Sequence, residues 1–388
     1  MRVAVLGPTY PFRGATGHYV APMVEHLKKR HEVLFISYTR QYPDFLYPGR
    51  TQKDDSRFYQ PTESVPAFSF LNPLSWRRSA RMVAEFGADA VVLQWVYSQM
   101  ALQFRGFTHW VRKYSPRTMV IFVCHNVVPH EHRFMDRALT RAAFHGADAL
   151  IVHDESSRKA ALGLRPGAEV RRADLPTFEF FNRGDYDREK ARRELGLDER
   201  ARVALYFGHV RPYKGLSHLV EALPALLETV DGFHLLVVGE FWEDRRGYEE
   251  RIEALGMRDR VTIVDRYVRN EEVGRYFGAA DLVVLPYVTA SASGILQIAY
   301  AFSKPVVTTR VGGLPEVVEE GRTGFLVPPG DPSALADAIA GFFARDDAAG
   351  FAAAIERYRE RFSWDALVDV LEEVASGDAK GPGPHATF

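Results

Sequence analysis

The chain has 388 residues, more than one ordinary hydrophobic core accommodates, so two domains are expected. A single cysteine, Cys124, excludes an intramolecular disulfide and favours a reducing, cytoplasmic compartment, and no apolar run reaches the roughly 18 residues of a membrane-spanning helix. The net charge of −1 hides an asymmetry: residues 1–181 hold 24 Lys/Arg against 16 Asp/Glu (+8), and the remainder holds 25 against 34 (−9). That division fits two independently evolved surfaces, or a basic first domain that meets an anionic acceptor or a membrane surface. No nucleic-acid partner is expected.

The N-terminus opens directly into a strand, Arg2 to Leu6, rather than a basic segment followed by an apolar one, so no signal peptide is expected. Further strand candidates in the first half are 32–37, 90–94, 118–123 and 149–152, with helical patterns between them, notably His18–Arg30 and Asp154–Leu162. Residues 40–66, rich in Pro, Tyr and charge, read as a loop, and so long an insertion in a compact domain is more often functional than decorative. Periodicity fails over 164–185, where Pro166, Gly167, Pro176, Asn182 and Gly184 mark a linker. A second alternation follows. Its strands are Val203–Phe207, His234–Val238, Val261–Val264, Leu282–Leu285 and Val306–Thr308, and its helices lie near 215–229, 247–255, 270–278, 294–303 and 333–344. Helical stretches at 348–375 precede a Gly/Pro-rich tail, 376–388, expected to be disordered. The chain therefore reads as α/β, with two doubly wound parallel sheets in tandem. Ligands of such sheets bind beyond the carboxyl ends of the strands, and two such edges can face each other across a cleft.

Phe207-Gly208-His209-Val210-Arg211-Pro212-Tyr213-Lys214-Gly215-Leu216 follows a strand and opens a helix. Glycines let backbone approach a ligand, the helix start offers N–H groups to an anion, and Arg211 and Lys214 add two cations. A diphosphate leaving group needs such charge. A tight strand–helix turn with solvated cations is the plainer reading. Pro286 to Gly294 forms a second small-residue turn before the apolar helix Ile295–Phe302; its helix dipole and the Ser291 and Ser293 hydroxyls suit a phosphate oxygen, or merely cap a core helix. Downstream, Val311-Gly312-Gly313-Leu314-Pro315-Glu316-Val317 and Gly321–Asp331 follow, and Pro315 and Glu316 have sufficient reason as first-turn helix residues.

In the first half, Gly14-Ala15-Thr16-Gly17-His18-Tyr19 follows strand one and opens a helix. It is not a dinucleotide fingerprint: G-x-G-x-x-G is absent and no acid ends the second strand. Cys124-His125-Asn126 ends strand 118–123, which directs a polar pair to the ligand edge. No His/Cys/Asp cluster has metal-ligand spacing.

Together these motifs resemble the retaining glycosyltransferases of family 4, of GT-B architecture, over about residues 1–375. The most specific pieces are Gly208–Gly215, Pro286–Val307 and Val311–Asp331, in that order and spacing. The resemblance implies two Rossmann-like domains: residues 1–181 on the acceptor side, with helix 363–375 packing back on them, and residues 182–362 on the donor side. It implies that Lys214 and Arg211 hold the donor diphosphate and that His125 lies near the transferred sugar. Further donor contacts are implied at Gly208, His209, Gly215, Glu240, Tyr267, Val268, Ser291, Ser293, Gly294, Ile295 and Leu296, and acceptor-side elements at Gly14, Ala15, Thr16, Gly17 and Asn126. Two departures stand out. His209 occupies a position where many members carry Arg. The family's two glutamates, separated by seven residues, fall on Ser291 and Ala299 counted from Gly294, or on Ala290 and Ile298 counted from Pro305. Neither register supplies a carboxylate, which implies a differently built ribose contact.

The expected activity is transfer of a hexose, with retention, from a nucleotide-diphosphate sugar (UDP and GDP are the candidates) to a glycan, lipid-linked or small-molecule acceptor. No cofactor or metal is expected, because Arg211, Lys214 and the helix at Gly294 neutralise the diphosphate. The expected location is cytoplasmic, with peripheral association at the inner membrane face left open. Two basic-aromatic stretches would serve there, Trp76, Arg77, Arg78 and Arg81, and Arg105, Phe107, Trp110, Arg112 and Lys113, together with Lys28, Lys29 and Arg30. The other reading is core aromatics and solvated cations. Two further activities remain open: a catalytically weak partner subunit, and a nucleotide-sugar epimerase or phosphorylase of the same architecture.

Overall fold

A computed structural model of the chain describes residues 1–42, 51–58, 62–127 and 135–377. It contains two compact units, one made of Met1–Tyr47, Gln60–Pro176 and Phe362–Phe388, the other of Pro48–Tyr59 and Thr177–Arg361.

In the first unit, chain order runs β1 (Arg2–Leu6), α1 (Ala15–Lys28), β2 (Glu32–Arg40), β3 (Val65–Ser69), α2 (Pro73–Phe86), β4 (Ala90–Trp95), α3 (Ala101–Tyr114), β5 (Met119–Cys124), α4 (Asp136–Phe144), β6 (Ala149–Val152), α5 (Glu155–Leu164) and β7 (Glu169–Arg172). All seven strands are parallel, in the order β3-β2-β1-β4-β5-β6-β7. Helices cover both faces of such a sheet, so its inner strands are buried and nearly all apolar: every residue of β4 and β6 is buried, and Gln94 is the one polar residue among them. Helix boundaries follow local chemistry. Asn72 caps α2 by accepting from the Leu74 N–H, Pro73 occupies its first turn, and Gly87 ends it in the left-handed conformation.

The second unit continues with α6 (Arg188–Leu195), β8 (Arg202–Phe207), α7 (Leu216–Thr229), β9 (Phe233–Val238), α8 (Arg245–Ala254), β10 (Val261–Val264), α9 (Asn270–Ala279), β11 (Leu282–Leu285), α10 (Gly294–Ala301), β12 (Val306–Thr309), α11 (Leu314–Val317), β13 (Gly324–Val327), α12 (Pro332–Arg345) and α13 (Ala348–Tyr358). Its six parallel strands lie in the order β10-β9-β8-β11-β12-β13. The last helix, α14 (Trp364–Ser376), belongs to the first unit and packs along α1. There His26 meets Asp365, Arg30 meets Asp369 and Glu372, and the Trp364 ring packs on Tyr19.

The two doubly wound sheets inferred from the strand pattern are present. Each reverses direction once, between β1 and β4 and between β8 and β11, and these are the switch points at which such sheets leave room for ligands. Three of the four edge strands were invisible in the sequence; the fourth, β10, lies where it was expected. The expected linker 164–185 contains β7, whose Glu-Val-Arg-Arg has one apolar residue, and β3 and β13 also border their sheets. The expected loop 40–66 is bracketed by β2 and β3, and its residues 51–58 belong to the second unit. Of the expected tail, residue 376 ends α14, Gly377 caps it in the left-handed conformation, and 378–388 lie outside the described residues.

One buried cation holds the frame of the second unit. Arg192 on α6 is fully buried; its guanidinium donates to the carbonyls of Ala279, Glu199 and Ala201 and, at 2.7 Å, to Asp281. Asp281 in turn accepts the Val203 N–H at 2.8 Å, so α6, β8 and the start of β11 are fixed together. Removing one partner of a buried pair strands the other. Arg192→Met is expected to lower stability by about 3 kcal/mol in urea unfolding followed by circular dichroism; a loss below about 1 kcal/mol would refute the stapling role.

Candidate functional site

At the β8–β11 switch point, four turns meet backbone to backbone. A Cβ on Gly215 would sit 1.9 Å from the Pro286 carbonyl oxygen, one on Gly239 2.0 Å from that of Gly208, and one on Gly312 1.9 Å from that of Ala290. Gly208 and Gly215 also hold φ of 110° and 68°, a region that glycine alone enters freely. Hydrogen bonds close the same seams: Val288 N–H to Tyr213 O at 2.7 Å, Gly313 N–H to Ser291 O at 2.8 Å, and a short ladder of Val210 N–H to Glu240 O and Trp242 N–H to Val210 O.

Lys214 lies within this knot. A Cβ at Gly208 would be 3.0 Å from its Nζ and 3.5 Å from the Ile295 side chain, so Lys214, Gly208 and the first turn of α10 converge. The Lys214 Nζ also faces the Tyr287 ring at 5.6 Å. Burial, and then the neighbouring Arg211 charge, lower the Lys214 pKa to about 8. The Arg211 guanidinium is flanked by two rings, Trp242 at 5.3 Å and Tyr213 at 5.5 Å, and His209 lies 4.3 Å from Trp242. Two adjacent cations, one of them desolvated, make a site whose charge an anion completes. On α10, Ser293 caps the helix by accepting the Leu296 N–H at 3.3 Å, which leaves the Gly294 and Ile295 N–H groups at the helix mouth.

The expected residues therefore separate. Gly208, His209, Arg211, Lys214, Gly215, Glu240, Ser293, Gly294 and Ile295 gather on these turns. Leu296 is core, and its N–H is occupied by Ser293. Ser291 is buried and contributes its carbonyl to the seam. Tyr267 and Val268 lie on the turn after β10, where the Tyr267 hydroxyl donates to Asp54 at 2.9 Å and Val268 is buried. Both registers of the missing second glutamate, Ile298 and Ala299, are buried in α10. Trp242 was not foreseen, because only the fold brings the turn after β9 beside Arg211. Gln297 was also missed; it is buried on α10, its Oε1 has no hydrogen-bond partner among the described residues, and a lone polar residue in an apolar helix is the signal for it.

In the first unit, His125 follows β5 and its N–H extends the ladder to Trp95 O. Its Nε2 lies 2.9 Å from Gln94 Oε1, which makes it the protonated ring nitrogen, and its ring stands edge-on to Tyr19 at 4.6 Å. His153, after β6, lies 5.7 Å away. Burial, reinforced by His153, pushes His125 down to about 3, so its imidazole is neutral. His153 donates from Nδ1 to Ala173 O at 2.9 Å; its Nε2 and the Tyr19 hydroxyl are buried with no hydrogen-bond partner among the described residues. Gln94 and His153 escaped the sequence reading, and Tyr19 was read only as part of the turn that opens α1, since its partners are visible only in the fold. Gly14, at φ 123°, caps α1 without a side chain, Ala15 is exposed, Thr16 is half-buried and Gly17 is buried. Asn126 is half-buried, and residues 128–134 beyond it lie outside the described residues.

Two doubly wound parallel sheets, each with one switch point, are the architecture of the GT-B glycosyltransferases, and the chain has that architecture. Residues 201–345 match the family model described as glycosyl transferases group 1. A D-inositol 3-phosphate glycosyltransferase of Corynebacterium urealyticum is 28% identical, over 74% of this chain and 72% of its own length. One from Mycobacteroides abscessus is 31% identical over 58% of this chain, and the match spans about half (51%) of that relative. Among solved structures, Anabaena Alr3699/HepE in complex with UDP superposes with a TM-score of 0.73 at 19% identity, covering 97% of this chain and all of that one, a likeness of fold.

The low His125 pKa has a sign. A folded-state pKa below the unfolded value of about 6.5 means that acid favours the unfolded chain, so the His125 contribution to stability is complete above pH 6.5 and declines as pH falls toward 3. The His125 ring nitrogens, followed by NMR, are expected to show the neutral Nε2–H tautomer from pH 8 down to pH 5; a midpoint near 6.5 would refute the buried, neutral assignment.

Proposed function

We propose that the chain transfers a hexose, with retention, from a nucleotide-diphosphate sugar to an acceptor hydroxyl. The carrying observation is the convergence of Lys214, Arg211 and the α10 mouth on one glycine knot at the β8–β11 switch point. Negative charge grows on the diphosphate as the bond from sugar C1 to phosphate oxygen breaks, and fixed cations and helix N–H groups stabilise that growth. The new bond from C1 to the acceptor oxygen forms on the same face, and the acceptor proton passes to the departing phosphate oxygen. On this reading no carboxylate nucleophile is needed, the chain's own cations do the work of a metal, and His125, a neutral hydrogen-bonding group, orients the sugar. UDP is the first donor nucleotide to test, since the fold neighbour from Anabaena holds it.

The acceptor side of this reading is amphiphilic. Tyr10, Leu71, Leu74, Leu102 and Met135 are the exposed large apolar residues after β1, β3, β4 and β5, all at the carboxyl end of the first sheet. Arg77, Arg78, Arg81 and Arg105 are exposed on α2 and α3 beside them. The expected basic-aromatic stretches contribute only in part. Trp76 and Phe107 are core, Lys28 and Arg30 pair with acids, and Arg77 and Lys113 lie over Trp110. Exposed apolar groups beside cations support a lipid-linked acceptor presented at an anionic membrane. No helix among the described residues is long and apolar enough to cross a membrane.

Lys214→Ala is expected to lower turnover of UDP-sugar by about 10²–10³ with the fold intact. His125→Ala should impair transfer more than UDP binding, judged by calorimetry. In the free enzyme, UDP affinity should fall as pH rises above about 8, where Lys214 loses its proton. Near-native turnover in Lys214→Ala would remove it from the mechanism. Co-sedimentation with anionic vesicles is expected at low salt, to weaken at high salt, and to be lost on Leu74→Glu; equal recovery in the supernatant throughout would point to a soluble acceptor.

A further inference from the structure

Residues 51–58 lie between β2 and β3 in sequence, yet they form part of the second unit. The attachment is polar and specific. The Tyr267 hydroxyl donates to Asp54 Oδ2 at 2.9 Å, while Asp54 Oδ1 accepts the Ser56 N–H at 2.9 Å and the Ser56 hydroxyl at 2.5 Å. The Asn270 N–H donates to Ser56 Oγ at 2.9 Å and its side-chain amide to Phe58 O at 3.0 Å. Glu271 accepts the Arg57 N–H at 3.2 Å, and the Arg183 guanidinium covers the Phe58 ring at 4.2 Å. Asp54, Ser56 and Asn270 are all buried.

Only Phe58 among these eight residues is apolar, so the segment adds little hydrophobic core. Its contacts fall on the turn at Tyr267–Asn270 and the first residues of α9, and a satisfied buried network rigidifies what it touches. That turn connects directly to the cationic knot. Asp265 accepts the Phe241 N–H at 3.0 Å, Gly239 N–H donates to Val264 O at 3.0 Å, and the stretch Gly239–Trp242 is laddered to Val210 beside Arg211. With the Tyr267 hydroxyl taken by Asp54 and Val268 buried, the turn offers a ligand mainly its backbone. Backbone groups discriminate only when their position is fixed beforehand.

We propose that residues 51–58 are a strap that presets the Tyr267–Asn270 turn as the nucleoside-binding wall of the donor site, in a chain whose α10 lacks a carboxylate for the ribose. This rests on the donor-site reading above. If loss of the strap leaves the turn correctly shaped in about one molecule in ten, nucleotide affinity falls about tenfold, since apparent affinity scales with the competent fraction.

The test is calorimetric titration of the full chain with UDP, GDP and inorganic pyrophosphate, for wild type, Asp54→Ala, Tyr267→Phe and Lys214→Ala. Asp54→Ala is expected to weaken UDP and GDP about tenfold and leave pyrophosphate unchanged; Tyr267→Phe should act in the same direction more weakly, and Lys214→Ala should weaken all three. Without ligand, amide hydrogen exchange at 266–271 should quicken in Asp54→Ala and in the milder Tyr267→Phe. If Lys214→Ala behaves as described while both strap variants bind UDP like wild type, the strap inference fails alone. Unchanged exchange at 266–271 overturns it regardless of ligand. If wild type binds neither UDP nor GDP, the donor-site reading fails and the strap's role with it.

Discussion

The second unit depends on backbone meeting backbone where its sheet reverses direction. Side chains are excluded at Gly215, Gly239 and Gly312 because a carbonyl oxygen already occupies the place of a Cβ. That exclusion brings the turns after β8, β9, β11 and β12 within hydrogen-bonding reach, so Lys214, Arg211 and the start of α10 share one small volume. Spread over separate loops, the same charges would be solvated and weak; held in a partly desolvated knot, they act on a ligand at short range. The Arg192–Asp281 pair acts at the other ends of β8 and β11, so the strands that carry these turns are fixed at both ends.

The two units use titratable groups in opposite ways. In the second, burial leaves Lys214 close to losing its charge, a state that an approaching phosphate reverses. In the first, burial holds the His125 pKa down at about 3, and its ring is oriented by Gln94 on one side and by Tyr19 edge-on. One device concentrates cationic potential; the other supplies a directional hydrogen-bonding group without potential. On the proposed reading the expulsion of a diphosphate uses both, and the acidic balance of 182–388 means that the cationic potential is local to the knot rather than a property of the unit's bulk charge.

Much of this was legible in the sequence, for local reasons. Buried parallel strands are apolar runs, so β4, β6, β8 and β11 stand out; an edge strand such as β7, with three charged residues of four, does not. The glycine-cation turn was readable because its chemistry is contiguous from Gly208 to Gly215. What was hidden is tertiary. Trp242 is near Arg211 only because β9 adjoins β8, His153 and Tyr19 meet His125 only across three elements, and nothing near Asp54 announces a partner at Tyr267. Leu296 was misjudged for the opposite reason: its place in a motif concealed that its side chain is core and its amide already capped.

The polar make-up of residues 51–58 also bears on how the chain is made. Tyr267 and Asn270, the partners of Asp54 and Ser56, follow 213 and 214 residues later in the sequence. At typical synthesis rates of about 5–20 residues per second, that separation lasts roughly 10–40 seconds, while domains fold as they emerge. A greasy segment left waiting that long would invite wrong contacts or chaperone capture. One built from Thr51, Gln52, Lys53, Asp54, Asp55, Ser56 and Arg57 waits in water at little cost, and Phe58, its single apolar residue, comes last.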